Sequence, residues 1–479
     1  MTTGFEQDAY RYQTVEQQVL SMIDSGVLNM GDRLPSLRGL SRELGVSIST
    51  VNQAYVELEG KGVIESRPRS GFFVRRSAPR MPIPESVSET TKEARPVTRS
   101  GLIRTVLEAV GDKKQVPLNV FEPTADLLPV KDMSRIMTQV MREHPEDALE
   151  YDIIPGNVEL RRQIAMLHME AGCVVSPDDM LITVGCFEAL YIALRTTTRP
   201  GDTVLIQAPT YYCFLHLLEN LGLRVVEIPS HIDRGVDPAD LAAALRKFDI
   251  KACIFSPNYN NPDSSCTPDS AKRKIVNMLG GLNIPIIEDD VSTTLHFGPK
   301  RPTTMKQYDT RGLVLLCSSF SKTLCPGYRV GWLLPGRFKE RAMEVKYTTN
   351  VSTPTPTQRA VAEYLRQGRY PRQLKKLRRT IETQMDIMLR HIGEYFPKGT
   401  RVTHPEGGGV LWLELPNNVD SVDLFLEARK NGINIAPGAI FSTQDKFGSH
   451  IRLSCTSLWS EPIRAGLETV GALATGLQK

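Results

Sequence analysis

The sequence predicts two unlike folding units: a small helical unit closed by a hairpin, then a larger α/β unit on a mostly parallel sheet. Three observations predict this. Up to residue 76, apolar residues recur at helical spacing and end in two short strand-like runs. From Pro117 onward, short apolar runs alternate with helical patterns, as in a parallel sheet with helices on both faces. Between them, residues 77–116 are rich in proline, serine and charge. A chain of 479 residues has room for roughly two to four such units.

In the small unit, Tyr12, Val15, Val19, Met22 and Ile23 share one helix face, and Gly26 ends that helix. The chain turns through Asp32-Arg33-Leu34-Pro35-Ser36, with Ser36 placed as the N-cap of Leu37–Leu44. Gly45 supplies the next turn. A third helix runs from about Ser47 to Gly60, with Val51, Ala54, Tyr55 and Leu58 inward. Val63–Ser66 and Phe72–Arg75 flank a turn at Pro68–Gly71 and make a hairpin.

Three helices and a wing form a winged helix-turn-helix, whose third helix enters the major groove. Its first turn, Ser47-Ile48-Ser49-Thr50-Val51-Asn52-Gln53, carries hydroxyls and amides that suit phosphates and base edges. A capped, solvated helix start would read the same by itself. The Gly45 turn, the wing and the local charge favour DNA. The net charge of +4 says little. Yet Arg67, Arg69, Arg75, Arg76 and Arg80 stand against one acid, Glu65, over residues 65–80.

Residues 77–116 read as an extended tether with a helical patch at Leu102–Val110. Beyond it, strands are predicted at Met180–Val184, Thr203–Gln207, Arg224–Ile228, Ala252–Ser256, Pro285–Glu288 and Val314–Ser318. The tail from about Lys375 opens with a basic helix and later shows Val410–Leu415 and Ile451–Ser454, a smaller α+β unit. None of the eight cysteines forms a C-x-x-C pair, so neither a disulfide framework nor a zinc site is expected, and no metal. No apolar run approaches the ~18–20 residues of a membrane span. Met1–Ala9 is polar and acidic, so a cytoplasmic protein is expected.

The chemistry gathers at strand ends. Lys322 lies in Ser319-Phe320-Ser321-Lys322-Thr323, just after an apolar strand, with Arg329 seven positions on. That arrangement suits a lysine holding an aldehyde cofactor, with hydroxyls and an arginine on its phosphate. Ile286-Ile287-Glu288-Asp289-Asp290 sets an acid at a buried strand end, where it can pair with a ring nitrogen. Asn261 can donate to a phenolate, and Tyr211 can stack on a flat ring. Small residues opening a helix at Gly185 expose backbone N–H groups to a phosphate. Each signal is weak singly, and their order along the chain gives them force.

With Gly31-Asp32-Arg33-Leu34-Pro35-Ser36-Leu37-Arg38 and Ser318-Ser319-Phe320-Ser321-Lys322, the chain resembles the MocR family, in its YdcR-like branch. These are GntR-type winged helix-turn-helix regulators whose C-terminal domain resembles a pyridoxal 5′-phosphate (PLP)-dependent fold-type I aminotransferase. The resemblance implies a DNA-binding domain at 1–76, a linker at 77–116, and a PLP-binding domain at 117–479 with its small subdomain from about 375. It implies that Lys322 forms the Schiff base, that Asp289 faces the pyridine nitrogen and that Asn261 donates to O3′. It makes Tyr211 the stacking aromatic, and Ser319, Ser321 and Arg329 the phosphate pocket. Arg452 matches the arginine for a substrate α-carboxylate. Arg38, Ser47, Ser49, Thr50 and Asn52 match DNA-contacting positions, and the wing arginines Arg67 and Arg69 are expected on the phosphates. Tyr151, in Tyr151-Asp152-Ile153-Ile154-Pro155-Gly156, resembles a tyrosine lent to the partner subunit's phosphate site in a head-to-tail homodimer.

Two positions depart from the pattern. Ser292 stands where a tyrosine usually bonds the cofactor's phenolate oxygen, and Pro262-Asp263-Ser264 replaces the usual Pro-Thr-Gly. Both weaken the case for turnover more than for cofactor binding. The implied function is a PLP-dependent regulator that binds operator DNA and senses a small amino compound, or PLP itself. The alternative is a working aminotransferase with an accessory DNA-binding domain. The first reading allows at most a weak aminotransferase activity.

Overall fold

The computed structural model describes residues 4–478 apart from 26, 29–30, 61–62, 68–69, 75–80, 86–88, 98–99, 111–113 and 144. By its contacts the chain divides between Arg80 and Met81. In the first unit, helices Gly4–Asp24, Leu37–Leu44 and Ile48–Gly60 precede strands Ile64–Arg67 and Gly71–Val74. The local chemistry sets these ends. Ser36 keeps an extended backbone, and its hydroxyl accepts from Gly39 N at 3.0 Å. Such a cap is worth about 1 kcal/mol. Gly45 closes the same helix at φ +63°, a left-handed turn that glycine adopts without strain. Ser47 caps the third helix by accepting from Thr50 N at 3.1 Å.

Val15, Val19, Leu40, Val51, Ala54, Tyr55 and Leu58 form the core of this unit. Tyr55 ties its parts together. Its hydroxyl donates to Pro35 O at 2.9 Å, and its ring meets Phe72 edge-on at 5.0 Å. The two strands pair antiparallel from Ile64↔Val74 to Arg67↔Gly71. The chain before the second helix adds to that hairpin through Leu34 N to Phe72 O, 2.8 Å. Gly26, Arg69, Arg75, Arg76, Arg80 and the side chain of Arg67 lie outside the described residues.

The second unit is built on a nine-stranded sheet. Its path runs Arg95–Pro96, Arg224–His231, Thr203–Ala208, Ala252–Phe255, Ile286–Asp289, Val314–Ser319, Val330–Leu334, Leu181–Val184; Gly235–Val236 pairs off Arg224–His231. From Arg224–His231 to Val314–Ser319 the pairing is parallel. These strands are buried on both faces, so they read as unbroken apolar runs. One face packs Leu316, Trp332 and Ile182 against helices carrying Ile164 and Val361. The other packs Leu205, Val226 and Phe255 against helices carrying Leu241 and Ile275.

The parallel strands end together at Ala208, Phe255, Asp289 and Ser319, the edge where such sheets bind ligands. Val330–Leu334 runs antiparallel to both neighbours. The sequence reading missed it, because its residues merge into the Ser/Gly/Pro-rich stretch around Lys322. A second, four-stranded sheet, ordered Arg401–Val402, Val410–Glu414, His450–Ser454, Ala436–Pro437, forms the expected smaller layer. Its leading helix starts at Tyr370 rather than near 375.

The tether expectation needs correction. From Met81 on, the chain belongs to the second unit. Pro82 O accepts from Val402 N at 2.8 Å, and Glu85 pairs with Arg401 at 2.6 Å. Thr91 bonds the backbone of Glu227, Arg95–Pro96 extends the large sheet, and Ser100–Val110 is a helix. Open sheet edges supply partners for a stretch that has little core of its own. Among the described residues, no helix is long and apolar enough to cross a membrane.

Gly331 marks a close crossing of two backbone segments. A Cβ there would lie 2.5 Å from the carbonyl carbon of Gly185 and 2.8 Å from Ser318 O, both backbone. Gly331→Ala should lower the unfolding midpoint, at a cost of about 1–3 kcal/mol or more. Gly327→Ala, with open space around it, should stay within about 0.5 kcal/mol of the parent. Thermal unfolding of the two variants side by side checks the contrast.

Candidate functional site

A cavity of about 480 Å³ opens at the carboxyl edge of the large sheet. It brings together Tyr211, Asn261, Asp289, Ser319, Ser321, Lys322, Arg329 and Arg452, which are far apart in sequence. Lys322 enters from the turn after Val314–Ser319, anchored by the buried Phe320. Its Nζ donates to Phe121 O at 2.5 Å and lies 5.1 Å from that ring's centre. Burial pulls its pKa below the ordinary lysine value; Arg452 adds to this, while Glu122 and Asp289 oppose it. A lysine poised this way is closer to a nucleophilic amine.

Asp289 is the last residue of its strand and is buried. Its carboxylate accepts from Ser256 Oγ at 3.2 Å, Val291 N at 3.4 Å and Cys186 Sγ at 3.5 Å. Among the described residues it forms no ion pair. Burial, which those hydrogen bonds only partly offset, raises its pKa to about 6. The carboxylate is thus suited to a cation that enters the cavity.

At another wall, helix Gly185–Thr197 begins without a side-chain cap, leaving its first N–H groups to the cavity. Gly185 sits at φ +74°, and a Cβ there would collide with the Arg329 guanidinium. Arg329 reaches this point by donating to Ser321 Oγ at 3.1 Å and Val184 O at 3.3 Å. Ser319 Oγ accepts from Ser321 N at 3.4 Å. The arrangement is a cradle of donors sized for a tetrahedral anion.

Arg452 crosses from the smaller layer and is 1% exposed. It donates to Asn261 Oδ1 at 2.9 Å and to Asn119 O, with its guanidinium 5.4 Å from the Phe441 ring centre. That bond fixes the Asn261 amide, so its Nδ2 is left to donate into the cavity. Tyr211 lines the cavity beside Tyr212 and Phe214.

The departures have visible consequences. Ser292 lines the cavity with a short hydroxyl where a phenol was expected. Asp263 is buried, and its Oδ1 accepts from Asn260 Nδ2, Ser265 N and Ser265 Oγ at 2.8–3.0 Å. Ser264 holds φ +58°, the conformation that explains a glycine at this position elsewhere. Tyr151 is not in the cavity of its own chain and is 87% exposed.

Sequence reasoning missed Asn119, Phe121, Cys186, Ser256 and Leu107, all of which line the site. Asn119 is buried with both side-chain polar atoms unpartnered. Leu107 and Ser256 fall in segments that the sequence predicts and Cys186 directly follows Gly185, but periodicity does not mark which of their residues face a cavity; Asn119 and Phe121 come from an irregular segment without a motif.

In the first unit, Arg38, Ser47, Ser49 and Asn52 are exposed and Thr50 is half-buried, at the second helix and the start of the third. Ser47 also bonds Ser49 and Thr50 hydroxyls at 2.7 Å, so its cap and its surface role coincide. Arg67's side chain and Arg69 cannot be placed beside them, since they lie outside the described residues.

A helix-turn-helix unit joined to this sheet and cavity defines a class: DNA-binding regulators with an aminotransferase-type domain. The chain matches the bacterial regulatory proteins of the gntR family over residues 11–74 and aminotransferase class I and II over residues 113–470. It belongs to that combined family, of MocR-like architecture, and binds DNA through its GntR domain. It is 37% identical to the Escherichia coli HTH-type transcriptional regulator YjiR over 96% of this chain and 98% of that one. With YdcR of the same organism it shares 35% identity, over 97% and 98%. Among solved structures, LysN, an α-aminoadipate aminotransferase from Thermus thermophilus complexed with N-(5′-phosphopyridoxyl)-L-leucine, matches at TM-score 0.72 and 27% identity. The match covers 78% of this chain and 94% of that one.

Asp289 gives a pH-dependent prediction for the cofactor-free protein. Its folded pKa, about 6, lies above the ordinary 3.8, so the folded state holds the proton more tightly than the unfolded chain. Stability is therefore lost as pH rises from about 4 to about 6, by roughly 2–3 kcal/mol, and stays reduced above that. Asp289→Asn should raise the unfolding midpoint at pH 8 and leave it unchanged at pH 4. Paired thermal melts at the two values test this.

Proposed function

We propose that this protein is a transcription regulator that holds PLP in the large cavity and uses it to sense a small amino compound. The observation that carries the proposal is that Lys322, Asp289, Asn261, Tyr211, Ser319, Ser321 and Arg329 line one cavity, with Ser292 at the position where the resemblance implies a phenol. The residues fit the cofactor. Asp289 is a buried carboxylate without a cationic partner, and Gly185 leaves room for Arg329 beside an uncapped helix start. When bound, the cofactor supplies a carbonyl that takes up amines and a ring that withdraws electrons.

Each residue then has a distinct task. Lys322 would hold the cofactor's carbonyl and would be the group that an incoming amine replaces. Asp289 keeps a proton on the ring nitrogen. Gly185 N–H, Ser319, Ser321 and Arg329 bind the phosphate, Tyr211 stacks on the ring, and Asn261 Nδ2 donates to the phenolate. Arg452 takes a ligand carboxylate. Serine is a far weaker acid than a phenol, so Ser292 cannot share the phenolate proton in the same way. Ligand exchange is retained while proton transfer slows, which suits a sensor.

Leu107, on helix Ser100–Val110, lines the cavity. That helix belongs to the second unit, in its leading stretch of sequence, so a ligand touching Leu107 contacts the part of that unit that follows the DNA unit in the chain. A second copy of the chain is the proposed partner. Leu149, Tyr151, Ile153, Tyr347 and Val351 are exposed, and Ser352 and Thr355 donate to Asp152 O and Glu150 O, joining the two stretches into one surface. Covered by a second copy, that surface would lend Tyr151 to the partner's phosphate cradle. A regulator that acts on operator DNA would work in the cytoplasm.

The purified protein should be yellow, with borohydride fixing the cofactor at Lys322. Lys322→Ala should lose the visible band, and a normal band in that variant would sink the assignment. Arg67 and Arg69, if they sit on phosphates, affect all DNA sequences alike, whereas Arg38→Ala should cost operator discrimination by roughly 1–3 kcal/mol.

Sensing is tested by titrating operator DNA with and without amino acids while following oxo-acid production. An effector should change DNA affinity by roughly 5–150-fold, and DNA should change effector affinity by the same factor. Arg452→Ala should blunt the response without removing the cofactor. Ser292→Tyr should raise any transamination and leave effector-free DNA binding intact. Rapid transamination with no amine altering DNA affinity would establish the enzyme instead.

A further inference from the structure

A second cavity, of about 250 Å³, backs onto the first. Asp289 lines the first and Asp290 the second, while Ser319 borders both. Successive strand residues point to opposite faces, so one strand end serves two spaces. The walls of the second come from helix Val158–Glu170, the turn at Thr293–Leu295 and helix Tyr370–Tyr395.

Its hydrogen-bond inventory is unbalanced. Trp332 Nε1 can only donate, and its partner is His168 Nε2 at 2.9 Å. Nε2 therefore accepts, and the proton of His168 sits on Nδ1. That Nδ1–H is buried with no partner. Burial keeps the ring neutral, with its pKa lowered to about 3. Arg301 Nε is likewise buried and unpartnered, while its Nη2 reaches Asp290 Oδ2 at 3.4 Å. Arg378 donates Nε to Thr294 O at 2.6 Å. Among the described residues it forms no ion pair; burial pulls its pKa down, the like charge of Arg301 adds to this, and Tyr370 and Tyr259 oppose it.

Against these donors stands, among the described residues, one buried acid lining the cavity, Asp290, whose Oδ1 makes no close hydrogen bond although the Thr293 side chain acts on its carboxylate. His296 is satisfied through Gly298 O at 2.7 Å, and Tyr370 OH through Thr323 at 2.9 Å. Glu170 is exposed at the rim. Buried donors are rarely left unmade, and two guanidinium groups beside one interior acid call for an anion. We propose that this cavity is a second ligand site, for a small carboxylate bearing a neighbouring hydroxyl or amino group. Arg378, Arg301 and His168 donate to the carboxylate, and Asp290 accepts from the neighbouring group. The inference does not depend on what the first cavity holds.

L-lactate is the chosen probe, because it has no amine to condense with a carbonyl in the first cavity. Labelled lactate is dialysed to equilibrium against the full-length protein, and tryptophan fluorescence is followed in parallel, since Trp332 lines the second cavity. One class of lactate site should survive Arg452→Gln and weaken roughly tenfold to hundredfold in Arg378→Gln. Acetate, without the hydroxyl, and inorganic phosphate should both bind more weakly than lactate. Trp332→Phe should remove the fluorescence response and leave a lactate site in dialysis. Should Arg378→Gln fail to fold, Arg378→Lys keeps the charge and should retain part of the affinity. The proposal is overturned by an absence of saturable lactate binding in the millimolar range. It is equally overturned if binding is lost in Arg452→Gln and kept in Arg378→Gln, or if acetate or phosphate binds as tightly as lactate.

Discussion

The second unit is organised around a carboxylate that cannot easily be there. Asp289 ends a strand buried on both faces, and among the described residues it takes three weak or neutral hydrogen-bond donors and forms no ion pair. Taking a charge out of water without a counter-charge is expensive, and the group responds by holding its proton. The parallel sheet fixes this position, because its neighbours in register, Phe255 side and Cys317 side, leave the strand nowhere to slide. A cationic ring that enters the cavity converts a liability into a binding contact. The same carboxylate therefore lowers the stability of the empty protein and raises its affinity for the right occupant.

Arg452 shows how two layers are drawn into one site. It belongs to the antiparallel sheet of the smaller layer, yet its donors end on Asn261 and Asn119. Full burial of an arginine is tolerable when its nitrogens find acceptors and aromatic faces, as they do beside Phe441 and Tyr212. Its Nε has no partner, so the arrangement is not saturated. A carboxylate ligand would compete with Asn261 and Asn119 for this guanidinium. Binding there necessarily alters the contact between the layers.

Legibility in the sequence followed chemistry more than geometry. Buried parallel strands and capped helices announced themselves, because Ser36, Gly45 and the apolar runs each answer a local physical demand. Lys322, Asp289, Asn261, Tyr211, Ser319, Ser321, Arg329 and Arg452 were found through their motifs, and the structure gathers them in one cavity. What stayed hidden depends on the third dimension. Phe121 meets Lys322 through a backbone carbonyl, which any residue type could provide. The Val330–Leu334 strand was masked by the glycine and proline around it. The stretch after Met81 looked like a free tether because its partners, the sheet edges at Val225 and Val402, are far away in sequence.

The position of Ser292 bears on why such a cavity would be joined to a DNA-binding unit at all. An enzyme profits when a bound amine is quickly processed, whereas a sensor needs the bound state to persist long enough to bias another equilibrium. Only the difference in ligand affinity between two arrangements can be transmitted, however tightly the ligand binds. Contacts that vary with arrangement matter most, and two elements here qualify. Leu107 lines the cavity from helix Ser100–Val110 of the second unit, and Arg452 lines it from the smaller layer. A ligand that spans from Lys322 to Arg452 touches both layers at once. On the proposed reading, the missing phenol would slow the chemistry that ends this contact, while the other residues lining the cavity stay in place. The proposed sensing role thus asks for one changed side chain and for no change in the fold that positions the cavity.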